Sequence, residues 1–386
     1  MTAEVQLIIT LSLIIVFSPF IARLIKIPTT PVEIILGSIA SYFHFISSEI
    51  HLFETLAEFG FLYLMFIAGT EVNIKNIIHT DKKILKKGLG YLLILYILSV
   101  VFAKYFDFSD VFILIMPLIS VGLIASLAKE FGNDMPWIQL SFIIGSIGEL
   151  MSILLLTIAS AVIEFGVGFE LAQTMLYFTI FMLLVLFLYR MMRILFWWYP
   201  ELSTHLMPHL DNKEQDIRLS MALLFLLLSI MMILDLELAF GAFIAGIFIP
   251  NFFKHKEDLP HKLSSIGFGF IIPIFFIYIG SSFSLNALMI DGLVVMAFVI
   301  ANIMILMRVL ASFVFYNRLK LRGTFLFALS HSMPLTLLIA VATLAHHSNS
   351  IDDFHYYSFI LAALFEVIFA MIAIKLLHHL KFKRLS

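Results

Sequence analysis

Apolar runs of about twenty residues follow one another along almost the whole chain. They lie near 4–24, 31–47, 54–72, 86–104, 110–130, 136–163, 171–197, 216–234, 236–252, 263–283, 287–316, 322–345 and 356–379. A helix rises about 1.5 Å per residue, so roughly twenty residues cross the hydrocarbon core of a bilayer. Of the 386 residues, 62% are hydrophobic and only 13% charged, too few polar side chains to cover a soluble domain of this size. The expectation is an all-α polytopic membrane protein of about thirteen transmembrane helices. Merging the runs around Leu234–Leu238 would change that count by one and move the C-terminus to the other side.

Charge tests the count independently. With the N-terminus outside, the inward loops and the tail hold Arg23, Lys26, Lys75, Lys82, Lys83, Lys86, Lys87, Lys129, Arg190, Arg193, Lys213, Arg218, Lys254, Lys256, Lys262, Arg318, Lys320, Arg322, Lys375, Lys381, Lys383 and Arg384. These are 22 of the 24 basic residues, leaving only Lys104 outside and Arg308 within a helix. A miscounted helix would scramble such a separation, so the positive-inside rule predicts N-out, C-in in the cell's inner (plasma) membrane. No cleavable leader is expected, because the first run, Val5 to Leu24, follows Glu4 and no basic residue.

Several function classes fall away. The chain has no cysteine, which excludes disulfides, thiolate metal sites and thiol nucleophiles. No zinc-protease, nucleophile-elbow or phosphate-loop pattern occurs, so neither an enzyme nor a cofactor is expected. A net charge of −2 gives no ground for a nucleic-acid partner. The longest polar stretch, Tyr199 to Arg218, lies near the middle of the chain. A single transmembrane transporter domain over 1–386 follows, with a first repeat at 1–163, a linking helix at 171–197 and a second repeat at 216–379. No cytoplasmic regulatory domain is expected in it. One linking helix between two six-helix halves makes the second enter from the opposite side, an inverted 6+1+6 repeat. The small-residue segments GSIAS (37–41) and GAFIAG (241–246) loosely parallel each other across it, though ordinary helix packing accounts for them equally well.

Ionisable groups far from either membrane surface are costly and mark candidate sites. Glu149 stands about thirteen residues into the sixth run, Arg308 two-thirds along the eleventh, and Glu366 about ten residues into the thirteenth. Gly145, Ser146 and Ser152 share the Glu149 face of a helix, leaving room for water or an ion beside the carboxylate. The alternative is a structural carboxyl, protonated or salt-bridged to Arg308. Two interrupted runs favour the site: PLISVGLIAS (117–126) in the fifth and SHSMPLT (330–336) in the twelfth. Proline removes a helical hydrogen bond and unwinds a turn. Paired breaks at equivalent places in two repeats point to an ion site at the membrane midplane. His331 lies in the second break and is either a packed hydrogen-bonding group or a proton carrier. Glu366 is either a second titrating site or a partner for Arg308. His346-His347 and His378-His379 point to different helix faces, so no metal beyond a transported cation is expected.

Three segments carry a family resemblance: FGFLYLMFIAGTE (59–71), LELAFGAFIAGIFIP (236–250) and IPIFFIYIGSSF (272–283). They resemble the membrane domain of the monovalent cation:proton antiporter-2 family, which includes Kef-type potassium efflux systems and sodium/proton antiporters. The resemblance spans essentially the whole chain. It implies the sodium/proton antiporter fold, with thirteen helices and broken fifth and twelfth helices, and a homodimer in the lipid bilayer. It implies exchange of a monovalent cation, sodium or potassium, for a proton at Glu149 by alternating access. Arg308 takes the place of the acid's basic partner, and Ser120 and the segment Ser330, His331, Ser332 to Thr336 the places of the two breaks. Relatives carry an aspartate preceded by Asp, Asn or Gln, whereas this chain reads Gly148-Glu149. A lone acid implies electroneutral, one-for-one exchange. The competing expectations are an uncoupled channel or sensor that kept the fold and a sodium-driven solute symporter.

Overall fold

The computed structural model describes residues 3–25, 27–72, 80–132, 134–165, 168–199, 201, 214–253, 256, 258–283 and 285–379. Among them the chain is helical throughout, with no strand. The helices are α1 (Ala3–Ile25), α2 (Thr29–Tyr42), α3 (His51–Glu71), α4 (Lys82–Tyr105), α5 (Asp110–Ile115), α6 (Gly122–Phe131), α7 (Pro136–Phe165) and α8 (Phe169–Trp198). They continue with α9 (Gln215–Ile233), α10 (Leu238–Phe252), α11 (Leu259–Ile266), α12 (Ile272–Ser282), α13 (Leu293–Ser312), α14 (Tyr316–His331), α15 (Leu335–His347) and α16 (Asp353–His379). The fifth, tenth and twelfth spans hold two helices each (α5 with α6, α11 with α12, α14 with α15), giving thirteen spans. Nine described helical stretches are long and apolar enough to cross a membrane, and the chain is a multi-pass membrane protein. Of the basic residues placed in inward loops, Lys26, Lys75, Lys213, Lys254, Lys381, Lys383 and Arg384 lie outside the described residues, as does most of the central polar stretch.

Boundaries move where local chemistry overrides hydropathy. The division at 234–238 is a helix cap: Asp235 takes a left-handed conformation at φ 53°. The Leu236 N–H then reaches back to the Met231 carbonyl at 3.0 Å. This is the Schellman closure, with aspartate where glycine is usual. His44, at φ 59°, closes α2 the same way and ends it at Tyr42, short of the expected 47. In the tenth span a π-helical turn, Gly267–Ile271, joins α11 to α12. Pro273 follows that turn and has no N–H to offer, and the wider turn absorbs the missing bond.

The chain forms two compact units. The first comprises Met1–Lys75 and Leu156–Phe283. Within it α2 packs on α12 and α3 on α10. Both crossings bring backbone against backbone. A Cβ on Gly37 would strike the Ile277 carbonyl and one on Gly280 the Ile34 carbonyl; likewise Gly69 meets Phe243 and Gly246 meets Phe66. Small residues are required for such close approach. Gly69→Ala and Gly246→Ala should each destabilise the protein by about 1–3 kcal/mol, read as a lower melting temperature in detergent. Gly90→Ala, which meets nothing within 4 Å, is the control and should not.

The second unit comprises Asn76–Leu155 and Ser284–Ser386, and holds both broken spans. Its centre is α13, which packs on α4, α14 and α16. The fifth span unwinds over 116–121 between α5 and α6, and the twelfth over 332–334 between α14 and α15. Pro117 and Pro334 stand in the breaks, as expected from their missing N–H groups.

Candidate functional site

Every residue singled out for the site falls in the second unit. Glu149 projects from the unbroken helix α7 and is 1% exposed. Its carboxylate meets the break of the fifth span. The Val121 N–H donates to Oε2 at 3.2 Å, and the Ser120 hydroxyl, itself buried, lies 3.4 Å from Oε1. Val121 is the N-cap of α6, so the carboxylate sits at the positive end of a half-helix whose first N–H groups have no helical partner. The break therefore supplies what a buried carboxylate lacks in hydrocarbon.

Glycines on α7 bring the break that close. A Cβ on Gly148 would lie 2.8 Å from Ile119 Cδ1 and 3.1 Å from Leu92 Cδ2. A Cβ on Gly145 would lie 3.1 Å from Ile124 Cδ1 and 3.3 Å from Val121 Cγ2. The absent side chain at the position before the acid thus has a physical cause: Ile119, from the unwound segment, occupies its space. Ser146 is buried one turn before Glu149, and Ser152, one turn after, donates to the Gly148 carbonyl at 2.8 Å.

Arg308 and Glu366 are both fully buried and form an ion pair, Nη1 to Oε1 at 2.9 Å. The family resemblance makes Arg308 the partner of Glu149; the ion pair it makes here is with Glu366. The reason is placement, because α13 packs along α16, which carries Glu366. Arg308 still reaches the fifth-span break: its Nη2 donates to the Leu118 carbonyl at 2.7 Å, and Nη1 also donates to Met304 O at 2.9 Å. A carbonyl freed by unwinding is thereby satisfied by a guanidinium.

The twelfth-span break is held differently. Ser330 and Ser141 share a hydrogen bond at 2.7 Å between their hydroxyls. His331 meets the Tyr91 hydroxyl at 3.1 Å through Nδ1 and the Ser141 carbonyl at 3.2 Å through Nε2. The Ser332 hydroxyl turns back on its own helix, donating to Ala328 O at 3.1 Å. Of the interrupted motifs, the side chains of Ser126 and Thr336 lie outside the described ones. Sequence reasoning missed Tyr91, Ser141 and Tyr96, the last bonded to Ser152. A tyrosine deep in an apolar run, whose hydroxyl needs a partner, was the available signal. Among the described residues no group of three His, Asp or Glu side chains is placed to hold a metal ion.

The fold has a counterpart among solved structures. The structure of the sodium proton antiporter MjNhaP1 from Methanocaldococcus jannaschii at pH 8 superposes with a TM-score of 0.64 at 16% identity, covering 97% of this chain and 99% of that one. The common fold is the sodium/proton antiporter fold. A Methanocaldococcus jannaschii protein named "Probable Na(+)/H(+) antiporter 3" is 27% identical over 240 residues, 59% of this chain and 58% of that protein. A Bacillus subtilis (strain 168) protein named "Putative Na(+)/H(+) antiporter YjbQ" is 23% identical over 381 residues, 92% of this chain and 59% of that protein. The chain thus spans just under three-fifths of the length of these curated relatives. The family described as "Sodium/hydrogen exchanger, transmembrane" matches residues 9–378, nearly the full length, and the chain belongs to that family.

Proposed function

We propose that the chain is a secondary active antiporter exchanging a monovalent cation for a proton at Glu149. The observation that carries the reading is a buried carboxylate held at the N-terminus of a broken half-helix. A cation and a proton compete for it, so each leaves when the other arrives, and alternating access opens the site to one side at a time. The relatives' names make sodium the first cation to test. Purified protein in proteoliposomes loaded with a pH dye should move protons when sodium is added, with lithium and potassium ranked alongside. No cation-driven proton movement at any pH would end the reading.

Exchange is one-for-one. Arg308 and Glu366 pair with each other, and the chain carries a single acid, Glu149, after Gly148, where relatives carry a polar pair. An imposed inside-negative potential should leave the rate unchanged; clear acceleration would count against this stoichiometry.

The inverted repeat has support in the first unit. A six-plus-one-plus-six division exchanges the second span with the ninth and the third with the tenth. That exchange turns the Gly37–Gly280 crossing into the Gly246–Gly69 crossing. Each unit also draws three consecutive spans from each half. We read the protein as a homodimer of the inner membrane with its N-terminus outside.

A further inference from the structure

The antiport reading leaves His331 without a task, and its surroundings assign one. The imidazole is fully buried, with the Phe327 ring edge-on at 4.4 Å and Tyr91 at 5.5 Å between centroids. Both nitrogens are engaged, and the partners differ in kind. Nε2 lies 3.2 Å from the Ser141 carbonyl oxygen, which can only accept. The ring proton therefore sits on Nε2. Full burial among the Phe327 and Tyr91 rings disfavours a second, charged proton, so Nδ1 keeps its lone pair and accepts from the Tyr91 hydroxyl at 3.1 Å. A neutral imidazole in this tautomer has every polar atom satisfied.

The place of this network gives its purpose. Tyr91 is on α4, His331 ends α14 at the twelfth-span break, and Ser141 is on α7, so three spans meet at one ring. Two residues of the twelfth span meet Ser141, His331 at its carbonyl and Ser330 at its hydroxyl at 2.7 Å, and that hydroxyl also lies 2.7 Å from the Trp137 carbonyl oxygen. One turn further along α7 comes Gly145, whose added Cβ would lie 3.5 Å from His331 Nε2 and 3.3 Å from Val121 Cγ2. Gly145 is thus the point of α7 against which residues of both broken spans pack, one turn before Glu149. Val121 in turn gives its N–H to the Glu149 carboxylate.

We propose that His331 is a positioning residue and not a proton-binding one. Tyr91 and Ser141 hold it as the neutral Nε2–H tautomer, pinning the twelfth-span break to α7 beside Gly145 and so setting the backbone that faces Glu149. This rests on the antiport reading and names two further residues that shape the same site.

Four proteins are compared in proteoliposomes: the wild type, His331→Gln, His331→Ala and Tyr91→Phe. Glutamine can donate to Ser141 O and accept from Tyr91 but cannot carry a proton. His331→Gln should keep exchange within about threefold of wild type and leave its pH profile in place, whereas alanine should raise the cation KM about tenfold or more. Tyr91→Phe removes one neutral hydrogen bond and should raise KM about two- to tenfold. A displaced pH profile or lost exchange in His331→Gln overturns the proposal, as does an unchanged KM in His331→Ala. A wild type without exchange would instead overturn the antiport reading. The proposal is then decided by imidazole nitrogen NMR on 15N-histidine protein, with His331→Gln identifying the signal. A neutral Nε2–H pattern unchanged across the working pH range supports it; a ring that titrates there overturns it.

Discussion

Glu149→Gln should abolish cation-driven proton movement while leaving the protein folded. The two side chains have nearly the same shape; the amide oxygen can accept from the Val121 N–H, and the amide NH2 can donate to the Ser120 hydroxyl oxygen in place of the bond it received. What disappears is the charge that attracts a cation and the oxygen that takes up a proton. The fold has little reason to suffer, because the buried charge is costly in this 1% exposed position. A second readout separates lost binding from lost movement. A cation that binds only the folded protein raises its stability, by about 2.7 kcal/mol at a concentration one hundred times Kd. The wild type should therefore melt higher in saturating cation, and Glu149→Gln should show no such rise. Glu149→Asp retracts the carboxylate by about one carbon–carbon bond, 1.5 Å. It should bind weakly, because the Val121 N–H and Ser120 hydroxyl then fall beyond hydrogen-bond reach. Exchange retained in the glutamine variant would move the ion site away from α7.

The contrast between Glu149 and its surroundings shows which links are legible in a sequence. Run length and proline carry direct physical meaning, so thirteen spans and two broken ones follow from the chain alone. Glu149 is found because an acid in hydrocarbon is rare and needs an explanation. Partner identity is another matter. Arg308 can reach any acid on a neighbouring span, and only packing on α16 decides for Glu366. Tyr91 was passed over because hydropathy treats it as one more apolar side chain, although its hydroxyl meets the second break. Gly148 reads in sequence as a missing polar group and in space as room for Ile119. The cap at Asp235 lacks the glycine that normally announces a helix end, so only hydropathy and the distribution of basic residues mark the division there. Composition and spacing set the layout, and close contacts between distant residues set the site.

Removing either partner of the Arg308–Glu366 pair should be the most damaging change to stability in the second unit. Both side chains are fully buried, so Arg308→Met leaves a carboxylate, and Glu366→Gln a guanidinium, with no compensating charge. Breaking a buried pair from one side costs about 3–5 kcal/mol. Each single variant should melt far below wild type or fail to accumulate. The pair itself is incompletely satisfied, since Arg308 Nε and Glu366 Oε2 have no hydrogen-bond partner among the described residues. An apolar double replacement, Arg308→Met with Glu366→Leu, removes both charges at once and should recover most of the loss. Recovery of stability need not bring recovery of transport, because the Leu118 carbonyl loses its donor in the double variant. Arg308→Lys separates the two effects further. Its single ammonium keeps the charge beside Glu366 but lacks the planar fork that also reaches Met304 and Leu118. That variant should stay folded, with a cation KM raised severalfold by the slackened fifth-span break. If single and double variants melt alike, the pair carries no coupling energy. If Arg308→Lys exchanges like wild type, the tie to Leu118 plays no part in shaping the site.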